Sequence, residues 1–182
     1  MNIKTILAEH QILETERLIL RKFEMSDAPD LFEIWSNPDV TEGTGTNPDV
    51  QLDQSKDRIA NYFIPEALIV WALENKLNGK MIGFVELHIN GDQGELGWML
   101  NQKFWGKGFA PEAASAIQEL AFHNLNLNIV TASCNIENTK SSRVMEKLGL
   151  KKMANTWAFF HNSYHLSAYY AQTKEDYEAN YE

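Results

Sequence analysis

The sequence predicts an α+β domain: a mixed, mostly antiparallel sheet of about seven strands with about four helices. Three observations predict it. Short apolar runs in the middle of the chain are joined by Asn78-Gly79 and Asn90-Gly91, dipeptides that favour tight hairpin turns, so the centre reads as an antiparallel meander. Helical spacing of apolar residues recurs before and after this centre, which gives the order β-α-α-β-β-β-α-β-α-β-β and not a regular βαβ repeat. The chain has 182 residues, 44% apolar, 23% charged and 11% aromatic, the size and composition of one domain with a full core.

Each element follows from local chemistry. Leu13 to Phe23 reads as one strand, with Leu18 and Leu20 alternating against Arg17, Ile19 and Arg21. Ser26 can cap a helix whose first turn tolerates Pro29 and whose apolar face is Leu31, Phe32, Ile34 and Trp35, and Asn37-Pro38 ends it. Glu42 to Pro48 is a Gly/Thr/Asn loop, and a second helix capped by Asp53 runs to Phe63. Strands are expected near Leu68–Glu74, Met81–Ile89 and Glu95–Leu100. Pro111 to Asn124 is the clearest helix, with Ala113, Ala114, Ile117, Leu120 and Ala121 at helical spacing. Ile129–Cys134 is a strand, and Lys140–Leu148 is a helix ended by Gly149. Lys151–Phe160 and Tyr164–Gln172 close the chain as a hairpin turning at Asn162-Ser163. One domain is therefore expected over residues 1–182, with its core at about 13–172.

Composition excludes several classes of function. There are 16 basic and 25 acidic residues, a net charge of −9, which opposes nucleic-acid binding driven by phosphate neutralisation. The most apolar window, Ile64 to Leu73, holds Pro65 and Glu66 and falls short of the ~20 residues a spanning helix needs, so no membrane partner is expected. No signal peptide is read in the first ten residues, and with a lone thiol, Cys134, the cytoplasm is the expected compartment. Neither a Gly-x-Ser-x-Gly elbow nor a Gly-x4-Gly-Lys-Ser/Thr loop is present. His161 and His165 lack the carboxylate of a His-Glu-x-x-His motif, and no metal site is expected. Cys134, in an apolar run, reads as a small core residue.

The chemistry concentrates in Leu100 to Glu112, where a strand end, a loop with Gly106 and Gly108, and a long helix follow one another. Glycines let backbone amides approach a ligand, and a helix N-terminus adds unpaired N–H donors with partial positive charge. Lys103 and Lys107 add formal charge, so the segment suits a pyrophosphate. A dinucleotide fingerprint fails, because Pro111 stands at the third glycine position. A second strand-to-helix junction, Asn135 to Leu150, places Asn138, Ser141 and Ser142 near a helix start, where they can bond a ligand or cap the helix.

With these segments in view, the chain resembles the GNAT acetyltransferase superfamily. Trp105-Gly-Lys-Gly-Phe-Ala-Pro-Glu112 is similar to its acetyl-CoA loop, Gln/Arg-x-x-Gly-x-Gly/Ala. Asn138-x-x-Ser141, followed by Arg143-Val-Met-Glu-Lys-Leu-Gly149, and the opening Thr15-Glu-Arg-Leu-Ile-Leu-Arg21 resemble the RimJ/RimL branch. Lys103 departs from the preferred Gln or Arg, keeping a cation without planar bidentate geometry.

The resemblance implies a GNAT-like fold with acetyl-CoA as co-substrate in a V-shaped gap between Glu95–Leu100 and Ile129–Cys134. Amides from Lys103 through Trp105, Gly106, Lys107, Gly108 and Phe109 to Ala110 would hold the pyrophosphate. The backbone of Met99 and Leu100 would pair with the pantetheine arm, and Asn138 would bond that arm as well. The acceptor amine would attack the thioester directly. A backbone N–H near Met99 or Leu100 would face the thioester oxygen as it becomes negative. Ser141 would protonate the departing thiolate, with Tyr164 and Tyr169 as further options. Glu95 is the favoured base, directly or through water, with Glu86 and His88 in reserve, and bulk water can also accept the proton.

For the acceptor, Glu24 to Asp53 holds eight acidic residues (Glu24, Asp27, Asp30, Glu33, Asp39, Glu42, Asp49, Asp53) and no Lys or Arg, an expected acidic rim for a cationic amine. Lys140 to Lys152 holds five basic residues and suits the 3′-phosphate end of CoA. The expected activity is N-acetylation of a primary amine, such as a protein N-terminus. A small amine as acceptor, or an acyl-CoA-binding module without turnover, stays open. The chain is expected to be a monomer or a homodimer.

Overall fold

The computed structural model describes residues 2–42, 46–160 and 163–179. The elements are α1 (Ile3–Glu9), β1 (Leu13–Glu14), β2 (Leu18–Arg21), α2 (Ala28–Trp35), α3 (Pro38–Thr41), α4 (Leu52–Arg58), β3 (Val70–Asn75), β4 (Lys80–Asn90) and β5 (Gln93–Leu100). They continue as α5 (Phe109–Glu119), β6 (Ile129–Asn135), α6 (Thr139–Lys147), β7 (Lys151–Phe160), β8 (Ser163–Thr173) and α7 (Lys174–Glu178). The class is the expected one: a single α+β unit on a mostly antiparallel sheet, in order β1-β2-β3-β4-β5-β6-β8-β7.

The counts differ for local reasons. The segment 13–23 is two strands, because the chain turns back at Thr15–Arg17 and pairs Leu13 with Leu20. The Thr15 amide closes that turn on the Leu18 carbonyl at 3.0 Å. Three short helices join those expected, each with a side-chain cap: Asn2 on α1, Asn37 on α3 and Thr173 on α7. The cap ahead of α2 is a Glu24/Asp27 box and not Ser26, whose hydroxyl bonds Glu24 instead. Likewise α4 begins one residue early on a Gln51/Gln54 box, and Asp53 pairs with Lys56. The helix continuing from α4 widens in its last turn, where the Ile64 amide reaches the Ile59 carbonyl at 2.9 Å, and the turn after α5 does the same from Leu125 to Leu120. The middle of the 42–48 loop and the Asn162 end of the closing turn, with His161, lie outside the described residues.

Burial explains how the sheet is sandwiched. On one face Leu18, Leu20, Val85, Leu87, Leu96 and Leu100 pack with α1, α5 and α6. On the other face Phe23, Phe63 and Phe84 meet α2 and the helical turn that continues from α4, with the Phe23 and Phe63 rings stacked 4.0 Å apart. Gly79 and Gly91 have φ +67° and +64°, the left-handed values that the β3–β4 and β4–β5 turns require. Among the described residues, no helix is long and apolar enough to cross a membrane.

Candidate active site

Among the described residues, one strand pairing is parallel, that of β5 with β6, and the candidate site lies beside it. β5 and β6 pair only at Gln93↔Ile129, Gly94↔Val130 and Glu95↔Thr131. Beyond that point β6 stays with β8 as far as Asn135↔Ser167, and β5 stays with β4 as far as Gly83↔Leu100. The two strands therefore part after Glu95 and Thr131, and a wedge opens between them. Antiparallel ladders alternate the direction of their backbone groups. Because the Asn101 amide donates to the Ile82 carbonyl at 2.8 Å, odd-numbered residues of β5 bond toward β4. Leu96, Trp98 and Leu100 accordingly turn their amides and carbonyls toward the wedge. Met99 sits opposite Phe84, and its side chain packs against the α2 face, so Leu100 and not Met99 presents its backbone to the gap. The Leu100 carbonyl is taken by the Trp105 indole at 2.8 Å.

At the wide end of the wedge lies the glycine loop. Gly106 and Gly108 have φ +73° and +84°, values that disfavour any residue with a Cβ. Gly108 occupies the cap position of α5, and no side chain caps this helix. The first-turn donors of Phe109 and Ala110 are thus backbone amides, whereas Pro111 has no N–H to give. This cradle fits a pyrophosphate by geometry and dipole. Across the gap, the Lys140 ammonium of α6 lies 3.9 Å from the centre of the Trp105 ring. Lys107 lies 5.5 Å from the Phe104 ring. Asn138 caps α6, its Oδ1 accepting from the Ser141 amide at 3.1 Å, which leaves its amide nitrogen as a donor. Behind it the half-buried Cys134 thiol lies 3.6 Å from the Ser142 hydroxyl, and burial raises its pKa.

Lys103 points elsewhere. Its ammonium pairs with Glu33 of α2, and the neighbouring Gln102 side chain bonds Asp39 at 2.6 Å and Asn37 at 2.8 Å. Hydrogen bonds from Lys103 and Lys80 hold the Glu33 carboxyl down at about 2. Lys103 thus ties the start of the loop to the α2–α3 wall.

The expected acidic rim is corrected by the same network. Asp27 pairs with Arg21, Glu33 with Lys80 and Lys103, Asp49 with Arg58, and Asp53 with Lys56, while Asp30 lies 3.5 Å from Lys80. The segment spends most of its charge on ion pairs with basic residues outside it in sequence. The acidic surface of the site lies instead on the sheet. Glu95 is exposed and accepts from the Ser133 hydroxyl at 3.3 Å. His88 is its cross-strand partner. The His88 imidazole lies 3.5 Å from the Glu86 carboxylate, which also accepts from the Tyr62 hydroxyl at 2.9 Å. Gly97 makes room for this arrangement, since a Cβ there would lie 2.7 Å from Glu86 Oε1. Donation of a hydrogen bond to Glu86, with the charges of Glu86, Glu95 and Glu66, raises the His88 pKa above its ordinary 6.5 despite burial. Burial, then Glu86, pushes the Tyr62 hydroxyl up.

Sequence reasoning placed Glu86, His88 and Glu95 as separate candidates, and the structure brings them together on one face beside the point where the strands part. Tyr169 is the β8 partner of Ser133 and so joins this neighbourhood, whereas Tyr164 lies toward the exposed end of β8. Tyr62 was missed; its signal was its place one turn after Arg58 on a helix facing β4.

Comparison with known proteins identifies the family and the fold. The family model described as an acetyltransferase (GNAT) domain matches residues 17–151. The uncharacterized N-acetyltransferase p20 of Bacillus licheniformis is 33% identical over 153 residues, covering 78% of this chain and 83% of that protein. A GNAT-family acetyltransferase crystal structure from Bacillus anthracis superposes with a TM-score of 0.81 at 27% identity, covering 90% of this chain and 99% of the other. The fold is also that of a spermidine N-acetyltransferase from Vibrio cholerae solved with CoA and spermine, at a TM-score of 0.72 and 20% identity over 90% and 99% of the two chains. The family model spans most of the chain, and the chain belongs to the GNAT family as an acyl-CoA-dependent N-acetyltransferase.

Proposed function

We propose that the chain acetylates the α-amino group of a protein N-terminus, as the RimJ/RimL-like motifs imply, with the amine entering over the face that carries Tyr62, Glu86, His88 and Glu95. The observation that carries this reading is the position of that cluster, beside the last β5–β6 pair, at Glu95 and Thr131. Acetyl-CoA supplies an acyl group activated as a thioester. The pyrophosphate is held by amides between Gly106 and Ala110. Leu96 and Trp98 offer their wedge-facing backbone to the pantetheine arm, Leu100 offers its N–H, and Asn138 donates from the other side. The amine nitrogen bonds to the acyl carbon, the carbon–sulfur bond breaks, and the products are the N-acetylated amine and free CoA.

Protons balance through side chains of this chain. Glu95 takes one from the attacking amine, directly or through a water. Ser141, in the first turn of α6, gives one to the departing thiolate and recovers it from solvent. A wedge-facing backbone N–H of β5 stabilises negative charge on the thioester oxygen. An α-amine with a pKa of about 7.7–8.0 needs only such weak bases, whereas a lysine amine near 10.4 needs more.

The test is thiol release from acetyl-CoA with three acceptors: peptides with free Ser or Ala N-termini, an Nα-blocked lysine peptide, and spermidine. Turnover confined to free N-termini is the expected result. Turnover on spermidine alone would replace this reading with a small-amine acetyltransferase, for which the carboxylates of Glu86 and Glu95 would be the binding groups.

A further inference from the structure

The tight turn between β1 and β2 lies far in sequence from the glycine loop but rests directly against it. Glu112, in the first turn of α5, is the meeting point, 95 positions from Arg17. Its Oε1 accepts from the Thr15 hydroxyl at 2.6 Å and from the Arg17 amide at 2.8 Å. Its Oε2 accepts from Arg17 Nε and Nη2, each at 2.6 Å. The remaining arm of the guanidinium, Nη1, donates to the Lys107 carbonyl at 2.9 Å. The guanidinium carbon lies 4.2 Å from the centre of the Phe109 ring, and a Cβ at Gly108 would lie 3.3 Å from Nη2.

We propose that Arg17, held by Glu112, is a positioning residue that fixes the phosphate-binding conformation of the glycine loop through the Lys107–Gly108 peptide. This rests on the reading that the loop holds the pyrophosphate of CoA. The reasoning is geometric. A trans peptide is planar, and its carbonyl and N–H point in opposite directions. Drawing the Lys107 carbonyl onto Arg17 therefore turns the Gly108 N–H away from Arg17. Two positive-φ glycines flank Lys107, so this peptide would otherwise have many orientations open to it. Arg17 removes that freedom before a ligand arrives. It also neutralises Glu112, whose carboxylate would otherwise oppose an anion at the same helix end. Only arginine suits the place, because its fork can bond a carboxylate and a carbonyl at once and still stack on a ring, whereas lysine offers a single ammonium.

A purely structural brace would tack the β1–β2 turn to α5 and influence stability alone. The distinguishing readout is CoA affinity, measured by titration calorimetry on full-length Arg17→Met and Arg17→Lys proteins whose thermal melts without CoA show folding. The expected result is a tenfold or greater weakening for Arg17→Met and partial recovery for Arg17→Lys. The KM for the amine at saturating acetyl-CoA should stay within twofold of wild type. The Arg17→Met/Glu112→Gln protein should bind CoA better than Arg17→Met, since it removes the unpaired carboxylate. A folded Arg17→Met protein with wild-type CoA affinity would overturn the proposal. So would failure of both Arg17 variants to fold, or a parallel rise in CoA Kd and amine KM. Gly106→Glu separates this from the reading beneath it. If Gly106→Glu leaves CoA affinity intact, the loop is not the phosphate site. If it abolishes binding while the Arg17 variants bind normally, the positioning role alone fails.

Discussion

The two sides of the wedge are built from different materials. The proposed cofactor side is mostly backbone: amides of one contiguous loop, a helix N-terminus and the edge of β5. The proposed acceptor side is mostly side chain: Tyr62 from the helix after α4, Glu86 and His88 from β4, Glu95 from β5 and Ser133 from β6. Backbone sites depend on conformation, which short motifs encode, so one charge or one displaced peptide is enough to abolish them. Side-chain sites depend on register between distant segments, and they can change specificity one residue at a time while the sheet persists.

Predictions that break or sharpen this contrast follow in order of size. Gly106→Glu should abolish CoA binding without unfolding the protein: a Cβ there meets nothing within 4 Å, so the added cost is the left-handed backbone strain of about 1–2 kcal/mol, whereas a Cβ at Gly108 would also meet Arg17. A carboxylate about 4 Å from a phosphate costs about 4 kcal/mol at an effective dielectric of 20, roughly a thousandfold in Kd by calorimetry. Glu95→Gln should lower kcat by about a hundredfold and leave CoA affinity within about twofold, the mark of a general base on the other side. If CoA binding fell with turnover, the two sides would not be separable at Glu95.

Asn138 tests whether a cofactor-side residue can be split into two roles. Asn138→Ala removes the α6 cap and should cost about 1 kcal/mol in denaturant unfolding. Asn138→Asp keeps an acceptor for the Ser141 amide and should retain stability while losing CoA affinity. The smallest effect concerns His88. Its pKa is raised chiefly by the hydrogen bond with Glu86, so protonation favours the folded state. That contribution is complete below the ordinary pKa of 6.5 and is lost as pH rises through the higher folded value. An NMR titration should place the imidazole midpoint above 6.5, and Glu86→Gln should bring it down.

Legibility followed the same division. The meander, the Gly106–Gly108 loop, the long helix after it and the Asn138 junction were readable because turn dipeptides, capping residues and apolar spacing are local signals. The break of 13–23 into two strands was not, since Leu18 and Leu20 alternate as they would in one strand and the turn is secured by Glu112 far along the chain. The acidic stretch misled for the same reason. Glu33 pairs with Lys80 and Lys103, 47 and 70 positions away, and no periodicity announces such partners. Glu86 could be nominated from its strand but not placed, because its position over β5 depends on Gly97 being opposite.

The parting of β5 and β6 also bears on how this sheet avoids sticking to other chains. Unpaired strand edges are templates for aggregation, and proteins ordinarily protect them at the rim. Here two such edges stand inside the sheet, joined at one end by three residue pairs. Neighbouring strands need about 4.8 Å between backbones along their whole length, and a wedge that narrows to a closed ladder offers no parallel track for an intruding polypeptide. A thin chain of amides without side chains meets no such demand. The angle between the strands therefore bars a third peptide strand from pairing with both edges at once.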